Sequence, residues 1–225
     1  MSSPGNVLHF VKIQTTFHLN SMSDSHINIG QYIRQFPILF PGLQGESPWA
    51  ITADLQDILT KQIKSLSSDY IINGEIAIHK TARIEEHVIL KGPIIISQGC
   101  FIGAHAYLRN GVFLGDQGMI GPGCEVKASI IMPQSALAHF NFVGDTILGS
   151  MVNMEAGSVI ANHLNEREDK TIYVLINGEK ISIQATKFGA LVGDKTKIGA
   201  NAVLSPGTIL APNTAVPRLG LVEQC

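Results

Sequence analysis

The residues of this chain that could do chemistry gather in and just before one stretch, AHFNFVGDTILGSMVNMEAGSVIANH, residues 138–163. His139 stands where a long repeat breaks step, and Asn141, Asn153 and Asn162 follow it inside otherwise apolar segments. Arg109, Glu125 and Lys127 bring charge a little upstream. This group could mark an active site or only a flaw in a structural repeat. It does not suit a metal. His79, His87, His105, His139 and His163 are scattered, and no pair downstream of His105 is closely spaced. No metal site is expected. The glycines of GDQGMIGPG have the composition of a phosphate loop, but no helix follows them, and corner glycines explain them better. Cys100, Cys124 and Cys225 make no disulfide framework.

The elements that must position these residues follow from a period of six. Stepping from Ile78 gives Ile84, Leu90, Ile96, Ile102, Leu108, Leu114, Ile120, Val126, Met132 and Ala138. All but the last are large aliphatics. A helix cannot use this rhythm, because six positions rotate by about 600° and successive members drift around the cylinder. Apolar or small residues recur four positions later, as at Ala82, Val88, Cys100, Ala106 and Cys124. Short strands joined by regular corners fit the pattern. Each strand is too small to bury its own apolar face, and stacked coils bury them as one column. The rhythm returns at Val192, Ile198, Leu204, Leu210 and Val216.

Two interruptions stand out. After Ala138 the expected phase slips by four, so that Phe142, Leu148, Met154 and Ile160 carry the next inward series. Residues 164–185 then contain two alternating segments around an Asn-Gly pair, which reads as a β-hairpin projecting from the solenoid. The chain divides into an N-terminal segment with a helical cap, 1–74, and the solenoid, 75–225. A helix is expected from about Ala53 to Leu66, with Thr52 or Ser47 near its start, covering the open first coil. Met22 offers an alternative start.

Composition excludes several classes. The chain is 45% hydrophobic and 15% charged, yet it has no run of about 18 apolar residues that would cross a membrane. The first residues lack the basic start and apolar core of a signal peptide. A net charge of −2 leaves no footprint for nucleic acid. A cytoplasmic protein is expected.

The hexad rhythm resembles that of the hexapeptide-repeat proteins. The resemblance implies an all-β solenoid, a left-handed parallel β-helix of triangular section with three hexads per coil. Within that class, AHFNFVGDTILGSMVNMEAG closely resembles the acetyltransferase half of the bacterial bifunctional enzymes that make UDP-N-acetylglucosamine. The resemblance runs from about Arg109 to Asn162 and keeps its spacing: Arg109 in LRNG, Lys127 eighteen residues later in CEVKAS, His139 twelve further on, then Asn153 and Asn162. Eighteen residues make one coil, so Arg109 and Lys127 should stack as a cationic pair suited to a sugar phosphate.

The resemblance implies acyl transfer from acetyl-CoA to the amine of an amino-sugar phosphate such as glucosamine 1-phosphate. His139 would be the general base and the backbone N–H of Ala156 the oxyanion donor. Arg109 and Lys127 would hold the phosphate, Asn153 and Asn162 would orient the sugar, and Glu125 would orient its neighbours. Ala200 and Arg218 are the candidates for contacting CoA. The implied assembly is a homotrimer with its sites between subunits. The chain departs from the pattern at Phe142, where a tyrosine is expected, and at Glu168, where a lysine is expected and Arg167 or Lys170 lies nearby. The first 70 residues are too few for a nucleotidyltransferase domain, and the coils expected to hold CoA end early. The last coils look more like the archaeal-type sugar-phosphate nucleotidyltransferases. Asn141 reads as structural. A non-catalytic β-helix, serving oligomerisation or sugar-phosphate binding beside a separate nucleotidyltransferase, stays open as the other reading.

Overall fold

The computed structural model describes residues 27–225. Met22 and the start of the N-terminal segment lie outside the described residues. From Ile76 onward the chain winds as a parallel β-solenoid with three faces. Strands of the first face run through Ile76–His79, Ile94–Ile96, Ile147–Leu148, Ala190–Val192 and Thr208–Leu210. The second face is a seven-stranded parallel sheet from Arg83–Ile84 to Ala215–Val216. The third includes Ile89–Lys91, Phe142–Gly144, Val159–Ile160, Val203–Leu204 and Leu221–Val222. Two longer strands, Tyr107–Leu114 and Glu125–Ile131, turn the corner from the third face to the first.

The column inside the solenoid is apolar throughout. Ile96, Leu114, Ile131, Leu148, Val192 and Leu210 face inward from the first face, and Ile102, Ile120, Leu137, Met154 and Ile198 from the second. Leu108, Val126, Val143, Ile160 and Leu204 close the third. Cys100, Ala106, Cys124 and Ala202 fill the remaining space near the corners.

The break in rhythm lies elsewhere than at His139. Arg109 pairs with Lys127 eighteen residues on, but Val112 pairs with Ser129 only seventeen on. The inward series therefore runs Val126, Ile131, Leu137, Val143, Leu148. Single residues are lost at the two corners marked by Ala128 (φ 46) and Asp145 (φ 47), both in the left-handed region. Met132, expected inward, packs in the outer layer, and Ala138 and Phe142 are half-buried in the wall. A shift of one residue turns every side chain of a strand to its other surface, so two single losses mimic one large slip in the sequence.

The first face is apolar on both surfaces. Ala77, Ile95, Phe113, Ile130, Ile147, Leu191 and Ile209 point outward from it and are buried. A sheet apolar on both surfaces needs a cover. The cover is the N-terminal helical segment, through Ile29, Phe36, Ile51, Leu55 and Leu59, together with Leu164, Ile172, Val174, Ile183 and Phe188 of the insertion. The expected single helix is two, Pro48–Ala53 and Leu55–Ile63, broken at Asp54. Ser47 caps the first, its hydroxyl accepting from the Ala50 N–H at 3.4 Å. These helices lie along the first face and do not close the open first coil. Instead, strand Tyr70–Asn73 pairs antiparallel with Ile76–His79 and covers that edge of the first face.

The expected hairpin forms, with strands Tyr173–Ile176 and Glu179–Ser182. Asn177 and Gly178 at its tip both have positive φ, the pairing that a two-residue turn of this twist requires. It leaves the solenoid path and lies back on the first face, with Val174 fully buried. Trp49 meets Phe188 edge to face at 5.9 Å, joining the helices to the base of the insertion.

Candidate functional site

His139 sits two residues past the inward Leu137, at the corner between the second and third faces. The pairing of Ile120, Leu137, Met154, Ile198 and Val216 puts Pro122, His139, Ala156, Ala200 and Arg218 in one column. Neighbouring members are separated by about 4.8 Å, the spacing of paired strands. Four of the residues singled out in the sequence thus share one corner. The His139 side chain is exposed and has no hydrogen-bond partner among the described residues. Phe140 follows in the left-handed region (φ 53), with its ring 73% exposed beside the imidazole.

The backbone of this corner is only partly paired, and the His139, Ala156 and Arg218 N–H groups have no partner among the described residues. The Gly157 N–H donates to the His139 carbonyl at 2.9 Å, and the Asn201 N–H to the Ala156 carbonyl at 3.0 Å. The Ala200 N–H donates to the Glu155 carboxylate at 2.9 Å, as the Ala104 N–H does to Glu85 at 2.8 Å. At the position that would cap Ala156 the preceding coil has Ala138, which offers no acceptor side chain. The Ala156 N–H has no partner among the described residues.

Arg218 does not stand free. Its guanidinium forms a fork on Glu155, with Nε at 2.8 Å and Nη2 at 3.0 Å. That hydrogen bond, and then the Ala200 amide, hold the Glu155 carboxyl down at about 2, and the bond to Glu155 pushes Arg218 further up. Glu155 therefore already engages both residues expected to meet CoA.

The expected phosphate residues lie across the third face. Arg109 and Lys127 stack in register, as their spacing implies. Each already has an anionic partner. Arg109 donates from Nε and Nη2 to Glu125 at 2.9 and 2.7 Å, and Lys127 donates to Asp145 at 2.7 Å. Asn162 donates to the same Asp145 oxygen. Asp145 is not among the residues that the sequence pattern singles out, although it sits at one of the two shortened corners. Its left-handed backbone turns its carboxylate onto Lys127 and Asn162.

Other expected residues stand apart. Lys127 is in register with Gly144, five residues past His139, so at most about 17 Å of strand separates the two columns. Asn153 is exposed on the second face between Ala136 and Lys197, away from Asn162. Glu168 is exposed, Arg167 pairs with Glu223, and Lys170 donates to the carbonyls of Leu164, Asn165 and Arg167. A single chain therefore holds two separate clusters, one at the corner and one on the third face. A cavity of about 320 Å³ lies among the helices, lined by Glu46, Asp54, Asp57 and Lys61, and touches neither. Among the described residues no group of His, Cys, Asp and Glu is placed to hold a metal ion, and no helix is long and apolar enough to cross a membrane.

Fold and corner geometry define a hexapeptide-repeat parallel β-solenoid. Residues 90–188 match the family model described as the GMPPB C-terminal domain. The chain is similar to the bifunctional protein GlmU of Methanococcus vannielii, 30% identical over 181 residues, covering 79% of this chain and 43% of the relative. It is also similar to the bifunctional sugar-1-phosphate nucleotidylyltransferase/acetyltransferase of Sulfurisphaera tokodaii, 32% identical over 150 residues, covering 67% of this chain and 37% of the relative. The chain thus spans about two fifths of the length of these curated relatives. Among solved structures, a hexapeptide transferase family protein from Anaplasma phagocytophilum matches with 16% identity and a TM-score of 0.45, over 65% of this chain and 75% of that one.

Proposed function

We propose that this chain is an acetyl-CoA-dependent N-acyltransferase acting on an amino-sugar phosphate such as glucosamine 1-phosphate. The observation that carries the reading is the corner pair: an exposed, unpartnered His139 imidazole one coil from the unpaired Ala156 N–H. The imidazole takes the proton of the sugar amine as the amine attacks the thioester carbonyl. The negative charge that develops on that carbonyl oxygen needs a fixed donor, and the Ala156 N–H supplies it. Collapse expels the CoA thiolate and leaves the amide. Similarity to a relative named as a bifunctional sugar-1-phosphate nucleotidylyltransferase/acetyltransferase supports the reading.

In this reading Arg109 and Lys127 hold the phosphate by exchanging Glu125 and Asp145 for it. Asn162 and Asn153 orient the sugar from two chains, the second face of one subunit meeting the third face of the next in a homotrimer. Ala200 and Arg218 meet the CoA moiety when Glu155 releases them. The chemistry needs no metal.

The ion pairs on Arg109 and Lys127 favour the second reading, a non-catalytic module, because they leave no free cation pair awaiting a phosphate. Thiol release from acetyl-CoA separates the two. Glucosamine 1-phosphate and galactosamine 1-phosphate are offered to the wild type and to His139→Ala. Turnover by the wild type, reduced at least about a hundredfold in the variant, is expected of a general base. No turnover with either sugar, and no CoA binding, would install the non-catalytic reading.

A further inference from the structure

The Ala156 N–H is unpaired, but something has to aim it. Glu155 O and Ala156 N–H belong to one trans peptide, so they point in opposite directions. The direction of the carbonyl fixes that of the donor.

We propose that Asn141 is a positioning residue that turns the Glu155–Ala156 peptide so that its N–H faces outward beside His139. The inference rests on the acyltransferase reading for its purpose, but on geometry for its content. Asn141 is only 2% exposed. Its Nδ2 donates to the Glu155 carbonyl at 2.8 Å, and also to the Ser158 carbonyl at 3.2 Å and the Ser158 hydroxyl at 2.9 Å. Three acceptors around Nδ2 settle which end of the amide is the nitrogen, and the Cys124 thiol reaches Oδ1 from the other side at 3.5 Å. The Ser158 hydroxyl donates to the same Glu155 carbonyl at 2.8 Å. That carbonyl is therefore drawn inward by two buried side chains, which add to a longer turn bond from the Ser158 N–H at 3.3 Å, and the N–H across the peptide is left facing out.

The same short segment supplies both parts of the corner. His139 presents the imidazole and also its carbonyl, which accepts from the Gly157 N–H at 2.9 Å. Two residues on, past the left-handed Phe140, Asn141 takes the carbonyl on the other side of Ala156. Both flanks of the donor are tied to the segment that carries the base. A burial role alone would be met by any apolar residue of similar volume. A side chain with its donor end satisfied by three oxygens is matched to this peptide.

The test compares Asn141→Asp, Asn141→Ser and Ser158→Ala with the wild type. Asn141→Asp keeps the shape and sets a carboxylate against the carbonyl. Serine at 141 is short and avoids that charge should the aspartate variant not fold, and Ser158→Ala removes the second donor to the same carbonyl. Two quantities are read: the Ala156 amide resonance and its hydrogen exchange in ¹⁵N-labelled protein, and the kinetics of acyl transfer. Both Asn141 variants should move the Ala156 resonance and change its exchange rate at least tenfold, with a smaller change for Ser158→Ala. The kcat should fall about 10²- to 10³-fold, as for loss of one oxyanion donor. KM for both substrates should stay within about twofold. An Ala156 amide that is the same in all variants overturns the proposal. So does a loss of rate carried entirely by KM. If the wild type transfers no acyl group, the acyltransferase reading fails by itself, and the amide measurement still decides whether Asn141 aims the peptide.

Discussion

The ammonium of Lys127 lies 2.7 Å from a carboxylate oxygen of Asp145, and the two side chains are only 12% and 10% exposed. The pair spans adjacent coils at the corner between the third and first faces. Arg109 and Glu125 make a similar pair one coil away, but with 28% and 35% exposure. Two ion pairs of the same length therefore sit in different dielectric surroundings.

That difference predicts unequal stability effects. Lys127→Ala leaves the Asp145 carboxylate buried with only Asn162 as a side-chain donor, and stranding a buried charge costs about 3 kcal/mol or more. Arg109→Ala breaks a pair that water screens, and the loss should be under about 1 kcal/mol. Urea unfolding midpoints of the two variants at neutral pH measure the contrast. Equal losses would show that the Lys127 pair is open to solvent after all.

The corrected register makes a second prediction. Val143 is fully buried in the inner column, whereas Phe142 beside it is half-buried on the outer surface. Val143→Asp would place an unpaired carboxylate between Val126 and Ile160, a burial the fold cannot tolerate. Phe142→Asp should give folded protein. Leu137→Ala, also in the column, should cost about 2–5 kcal/mol. Yield of soluble protein and thermal unfolding distinguish the two surfaces. A folded Val143→Asp would restore the inward series that begins at Phe142.

Much of the architecture is legible in the order of residues alone. The six-residue rhythm implies the solenoid, because inward aliphatics and corner glycines are set by local geometry. The stacking of Arg109 on Lys127 follows from one coil being eighteen residues. The position of the phase break does not follow. Met132 and Ala138 are apolar enough to extend the old rhythm, so they hide two single losses at Ala128 and Asp145. The cover on the first face does leave a signal: the runs III, VFL, TIL and ALV are apolar at the outward middle position too. Partners are harder still. Nothing in spacing tells that Glu125, Asp145 and Glu155 engage Arg109, Lys127 and Arg218, because side-chain pairing across coils depends on corner angles.

The outer layer should open before the solenoid does. Phe113 faces out of the first face, 5% exposed, and meets Phe40 edge to face at 5.0 Å. Phe113→Ala should cost about 3–5 kcal/mol, typical of a buried aromatic, and should loosen the N-terminal helices first. Amide exchange across Leu55–Ile63 should speed up while that of Ile160 and Leu204 stays slow. Uniform acceleration would show that the helices and the solenoid open only together.

Glu155 offers a pH signature. Its carboxyl is held down to about 2, chiefly by the hydrogen bond from Arg218 and next by the Ala200 amide. A carboxylate whose folded pKa is depressed stabilises the fold fully above its unfolded value, near 4.5, and that contribution fades as pH falls toward 2. Between neutral pH and about 5 the pair should be silent. Titrating the Glu155 carboxyl carbon by NMR should give a midpoint near 2 in the wild type. Arg218→Ala should raise it while leaving it below the ordinary value, because the Ala200 N–H still donates. Adding CoA should raise it in the same direction, because a phosphate that takes Arg218 leaves Glu155 with the amide alone. A midpoint that ignores CoA would place the cofactor away from Arg218 and confine the Glu155 pair to holding three coils together.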